Sequence, residues 1–87
     1  MAKYTLQTRR DVLTQDTTIN DKTFSAWRAQ NIGAQSAEIL GFVVAPGGDL
    51  DFTSVADPEV LWTSPIPIKC NGTTVVLVRL QYNRKEE

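Results

Sequence analysis

A chain of 87 residues with net charge −1 amounts to one domain, and at 41% hydrophobic and 22% charged it has the balance of an ordinary globular protein. One cysteine and no histidine exclude an internal disulfide, leave structural zinc short of its usual Cys and His ligands and remove Ser-His and Cys-His catalysis. Acids follow both basic pairs (Arg9–Arg10 and Arg84–Lys85), no apolar run nears the ~20 residues of a membrane span, and the first ten residues have no signal-peptide core, so neither nucleic acid nor membrane is expected as a partner and synthesis in a cytosol is.

Lys3 to Thr8 alternates, with Tyr4 and Leu6 on one face, and predicts a first strand. Residues 9–23 are polar and rich in Asp, Asn and Thr; they read as a long loop anchored by Val12, Leu13 and Ile19. In 23–31, Phe24 and Trp27 fall on opposite faces of a regular strand, so either a bulge re-aims one of them or both faces are covered. Asn31-Ile32-Gly33 marks a turn. Residues 36–45 read as one strand with two apolar faces. Pro46-Gly47 suits a type II turn, with φ pre-set by the proline and a positive φ open to the glycine. Leu50 and Phe52 then face the same way in extended chain. Asp57-Pro58-Glu59 starts either one helical turn or a plain turn, and residues 60–64 lead into the last strand pair. No segment keeps a helical period. Six or seven short strands between turns predict a small antiparallel β-sandwich, jelly-roll-like, spanning 1–87 as one domain with a charged tail at 83–87.

Asn71-Gly72 is a preferred pair for a two-residue type I′ hairpin turn. On that reading Cys70 faces Thr73, Ile68 faces Val75 and Pro67 faces Val76. Pro65 and Pro67 then sit at non-bonded positions and remove two donors from the outer side, which predicts that strand 64–70 is a blunted sheet edge. One face carries Ile66, Ile68, Val75 and Leu77. The other carries Pro65, Pro67, Val76, Val78, Leu80 and Tyr82, where an exposed sheet face should be polar. That surface calls for a lid from the 9–23 loop or for another subunit.

Little chemistry competes with an interaction role. Cys70 reads as an inward-facing structural thiol. Asp49, Asp51, Asp57 and Glu59 match no calcium loop and suit turns. Gly47-Gly48 is not followed by the Gly-Lys-Ser/Thr of a phosphate loop. Asn71-Gly72-Thr73 fits a glycosylation sequon that the turn already explains. No metal, cofactor or catalytic residue is assigned. Trp27 and Trp62 suit core or interface anchoring, or the walls of a sugar site.

The run NIGAQSAEILGFVVAPGGDL (31–50), followed by LVRLQY (77–82), resembles small β-sandwich proteins of tailed-bacteriophage virions: decoration, head-fibre and neck or tail-associated proteins. The resemblance covers residues 22–82. It implies a non-enzymatic structural role, a symmetric homo-oligomer, contact with another virion protein, and residence in the virion after synthesis in the host cytoplasm, or otherwise in the cytoplasm. It supplies no catalytic residues. The expected contact residues are Trp62, Pro65, Pro67, Val76, Val78 and Leu80, with Phe42 and Trp27 beside them. The N-terminal segment and the 9–23 loop are expected to reach toward a neighbour. The alternative is a ligand- or carbohydrate-binding module built on Trp27 and Trp62.

Overall fold

Val75 and Leu77 alternate with Val76 and Val78, and Ile66 and Ile68 alternate with Pro67 and Lys69, so each of these strands has one face to bury. In the computed structural model, which describes residues 3–55 and 57–85, such faces meet across a β-sandwich of two four-stranded antiparallel sheets. The strands are β1 (Lys3–Leu13), β2 (Thr17–Ile19), β3 (Ala26–Asn31), β4 (Ala37–Ile39), β5 (Phe42–Val44), β6 (Asp49–Asp51), β7 (Ile66–Lys69) and β8 (Val75–Lys85). One sheet runs β1-β8-β3-β6 and the other β2-β7-β4-β5. Trp27 and Ala29 on β3, Val75 and Leu77 on β8, Ile66 and Ile68 on β7, and Ala37 and Ile39 on β4 are buried between them. Each large side chain so buried contributes about 1.5–3 kcal/mol.

The Asn71-Gly72 turn forms as expected, but it does not make a hairpin. Asn71 has φ 54°, Gly72 has φ 83°, and the Thr73 N–H donates to the Cys70 carbonyl at 3.0 Å. The chain then separates: β7 lies between β2 and β4, while β8 lies between β1 and β3. The expected Cys70–Thr73 ladder is therefore absent, and strand 64–70 is not an edge. A hairpin would have put Ile66, Ile68, Val75 and Leu77 on one face of one sheet. Sending the strands to opposite sheets lets those rows bury each other. Pro67 is tolerated inside the sheet because its carbonyl, which accepts the Leu40 N–H at 2.9 Å, points toward the end of β4. Its missing donor faces a place where the ladder is already stopping.

Three further expectations change. Residues 36–45 form two strands, not one, joined by a turn with Leu40 at φ 52° and Gly41 at φ 81°. Residues 9–23 are not a loop: 9–13 continue β1, and Thr17–Ile19 are β2, paired with β7. Both are paired within the sheets and so form no lid over an outer face. The tail expected from 83 onward begins instead as the end of β8, and Glu86 and Glu87 lie outside the described residues. Elsewhere the reading holds. The Ser25 N–H reaches the carbonyl of Leu80, the residue opposite Ala26, so a bulge-like entry to β3 re-aims Phe24 and both Phe24 and Trp27 are buried. Gly48 N–H donates to the Ala45 carbonyl at 2.9 Å with Gly47 at φ 81°, the type II turn of Pro46-Gly47. Asp57 accepts from the Glu59 N–H at 2.9 Å in a plain turn.

One buried polar residue ties the two sheets at this end of the sandwich. Asn31 donates through Nδ2 to the carbonyls of Gln35 (2.6 Å) and Val44 (3.0 Å), and its Oδ1 accepts from Gly33 N–H (3.1 Å) and Thr73 Oγ1 (2.8 Å). All four bonding positions of the side-chain amide are used. Its backbone also holds the 45–48 turn, with the carbonyl accepting from Gly47 and the N–H donating to Gly48.

Candidate functional site

The long strands β1 and β8 outrun the sandwich. β3 follows β8 only as far as Leu80, so Gln81–Lys85 pair with Lys3–Gln7 alone, as a two-stranded arm. The arm accounts for the elongated shape, 47 Å by 20 Å by 19 Å.

The inner face of β1–β8 turns polar where the opposite sheet ends. Arg79 marks that boundary. It is buried at 6% exposure, paired with Asp11 and, at 3.3 Å, with Asp21, with its guanidinium 5.8 Å from the Phe24 ring. Beyond it the inner face carries Gln7, Gln81, Asn83 and Thr5, which hydrogen-bond among themselves. Thr23 donates its hydroxyl and its N–H to Asp21; with Arg79 nearby this holds the Asp21 carboxyl below its ordinary value despite an opposing effect of burial.

The outer face has the opposite character. Register places Val12 beside Val76, Leu6 beside Tyr82, and Tyr4 beside Arg84, with Val78 and Leu80 continuing the row on β8. Val76 is buried; Val78, Leu80 and Tyr82 are half-buried; Leu6 and Val12 are exposed at 54% and 53%. On the arm, Thr5, Gln7, Gln81 and Asn83 thus face inward, while Leu6, Tyr82 and Tyr4 face outward beside Arg84. The Tyr4 hydroxyl donates to Glu59, which fixes the 57–60 turn against the arm.

The expected contact residues do not share one surface. Val76, Val78 and Leu80 lie on the outer face of the β1-β8-β3-β6 sheet. Pro65 and Pro67 are exposed, but Pro67 lies on the other sheet, beside Thr18. Divergence of the chain at Asn71-Gly72 separates them. Trp27 is not a surface residue. It is fully buried, its ring 5.0 Å from Phe52 and 5.5 Å from Trp62, which is half-buried and donates through Nε1 to the Ser64 carbonyl. Those two rings wall one another, and Trp27 has no free face for a sugar. Phe42 is exposed at the rim of β5, next to Val43 at 76%.

The remaining chemistry-bearing groups serve the fold. Cys70 is buried, its N–H donates to Asp16, and burial, with the Asp16 carboxylate, pushes its thiol above the usual range. Asp49 pairs with Arg28 at 2.9 Å, and Asp51 accepts from the N–H and hydroxyl of Thr53. No three His, Cys, Asp or Glu residues converge among the described residues. A shallow hollow of about 210 Å³ lies beside β2 and β7, lined by Asp16, Thr18, Pro67 and Lys69.

The outward row on β1 was partly legible in the alternation of Tyr4 and Leu6. Its continuation through Arg10 and Val12 was hidden by the polar composition of 9–13. Comparison with protein-family models, with curated proteins and with solved structures finds no match.

Proposed function

We propose that this protein is a non-enzymatic structural component that works by binding copies of itself and a further protein, as a part of a tailed-phage particle would. The outer face of β1–β8 carries this reading. A solvated sheet face is normally polar, yet here Val76, Val78, Leu80 and Tyr82 run along one strand, with Val12 and Leu6 open on the neighbouring strand to either side of Thr8 and Arg10. An apolar row of this kind on a small domain suits a partner surface. The carbohydrate reading has less support, because the Trp27 ring is enclosed.

Replacing Leu6 and Leu80 by Lys together tests the reading. Leu6 and Leu80 lie outside the buried core, so the variant should keep its fold while losing association in sedimentation velocity at micromolar concentration. Association unchanged from the parent chain would show that this face is not used. The particle assignment has its own test: the gene should lie among capsid, portal or tail genes, and a neighbourhood without any would count against it.

A further inference from the structure

Three of the four sheet edges are only three residues long: β2, β5 and β6. The fourth, β1, has 11 residues, pairs with β8 in unbroken register, and carries neither proline nor bulge. Natural proteins blunt long edges because a free ladder recruits another strand. On β1 the free groups can be named. The Ile32 N–H donates to the Thr74 carbonyl, which sets Val76, Val78 and Leu80 to bond β3. Alternation then turns the odd residues of β8 to β1, and the backbone groups of Leu6, Thr8, Arg10 and Val12 outward.

The opposite edge of the same sheet carries two aspartates, of which Asp49 is paired with Arg28 and Asp51 has no ion pair among the described residues. The bonds from Phe52 N–H to the Trp27 carbonyl and from Asn31 N–H to the Gly48 carbonyl point the Leu50 backbone toward β3, leaving the backbones of Asp49 and Asp51 outward. Charge divides the same way. β1 and β8 hold six of the nine Lys and Arg residues, while β6 is Asp-Leu-Asp. Arg10 is exposed and has no ion-pair partner among the described residues.

We propose that copies of this chain join head to tail, β1 of one copy pairing antiparallel with β6 of the next, so that Arg10 meets the Asp49–Asp51 carboxylates. This rests on the self-assembly reading above and names how the copies meet. Direction supports it. Four strands alternating in direction leave β1 and β6 antiparallel, so the next copy continues the sheet in the same orientation. Directly opposed residues share a face, which puts Arg10 and the two aspartates on the same side. A twofold β1–β1 pairing would instead bring two basic edges together. Head-to-tail joining makes rings or filaments, and it leaves the apolar outer face open for further contact between copies or with a different protein.

The test uses three variants of the full chain, each checked for parental circular dichroism and tryptophan fluorescence. Thr8→Pro removes one outward N–H and no bond to β8. Arg10→Glu reverses the edge charge. Arg10→Glu with Asp49→Lys and Asp51→Lys restores opposite charges. Sedimentation velocity should give a mass series extending past two chains for the parent. Thr8→Pro and Arg10→Glu should each weaken association about tenfold or more, and the triple variant should recover most of it. A parent that stops at two chains overturns the proposal. So does assembly undiminished in both single variants, an outcome that leaves self-assembly through the outer face standing. A parent that stays a single chain overturns self-assembly itself. If Thr8→Pro does not fold, the charge-reversed pair decides.

Discussion

Asn31→Leu is the most informative single perturbation of the fold. The change keeps the branched outline of the side chain, puts bulkier methyl groups where the amide was, and deletes four hydrogen bonds at once. Two partners sit in buried residues, Thr73 at 3% and Val44 at 6% exposure; stranding a buried polar group costs about 1–3 kcal/mol each. Gly33 N–H and the Gln35 carbonyl are nearer solvent and recover part of their loss from water. The sum is a destabilisation of roughly 3–5 kcal/mol. For a domain of this length that lowers the melting temperature by about 15–30 °C. Urea denaturation followed by the fluorescence of Trp27 and Trp62 measures it directly. Adding Thr73→Val to the Asn31→Leu chain removes a stranded hydroxyl and should recover about 1 kcal/mol. A loss under about 1 kcal/mol for Asn31→Leu, or no recovery in the double variant, would refute the view that this amide ties the two sheets.

Gly33→Ala should also destabilise, by about 1–3 kcal/mol, because a Cβ there would lie 2.0 Å from Thr73 Oγ1 and 2.8 Å from the Thr74 nitrogen; thermal melts report it. Val43→Lys should leave stability within about 0.5 kcal/mol in the same melts, because the side chain is 76% exposed on a three-residue edge strand. Asp21 and Asp51 have folded pKa values below 3.8, chiefly through the Thr23 and Thr53 hydroxyls. A depressed carboxyl stabilises the fold above its unfolded pKa, so the contribution should be intact at neutral pH and disappear as pH falls from 3.8 through the lower folded values. Thr23→Val should move the Asp21 titration, read by carbon NMR, back toward 3.8.

Local rules carried the sequence a long way, and topology was where they stopped. Pro46-Gly47 and Asn71-Gly72 make the turns their chemistry demands, since turn geometry depends on a few adjacent residues. What Asn71-Gly72 connects depends instead on which arrangement buries Ile66, Ile68, Val75 and Leu77 together, and both a hairpin and a crossing between sheets satisfy the same alternation. The 36–45 segment misled for a related reason. Leucine rarely adopts positive φ, so Leu40-Gly41 gave no turn signal, although Leu40 packs its side chain against the core. Arg9 and Arg10 hid half of β1, because an edge strand at the rim of a sandwich needs no second apolar row. The apolar character of Val76, Val78 and Leu80 was legible at once. That Pro65 and Pro67 lay elsewhere was not, because it followed from the same crossing.

Sedimentation velocity of the unmodified chain across a micromolar concentration series tests the central claim most directly. Self-assembly through an unpaired β1 edge and an apolar outer face requires a mass that rises with concentration beyond two chains. The mass of a single chain at every concentration would contradict it.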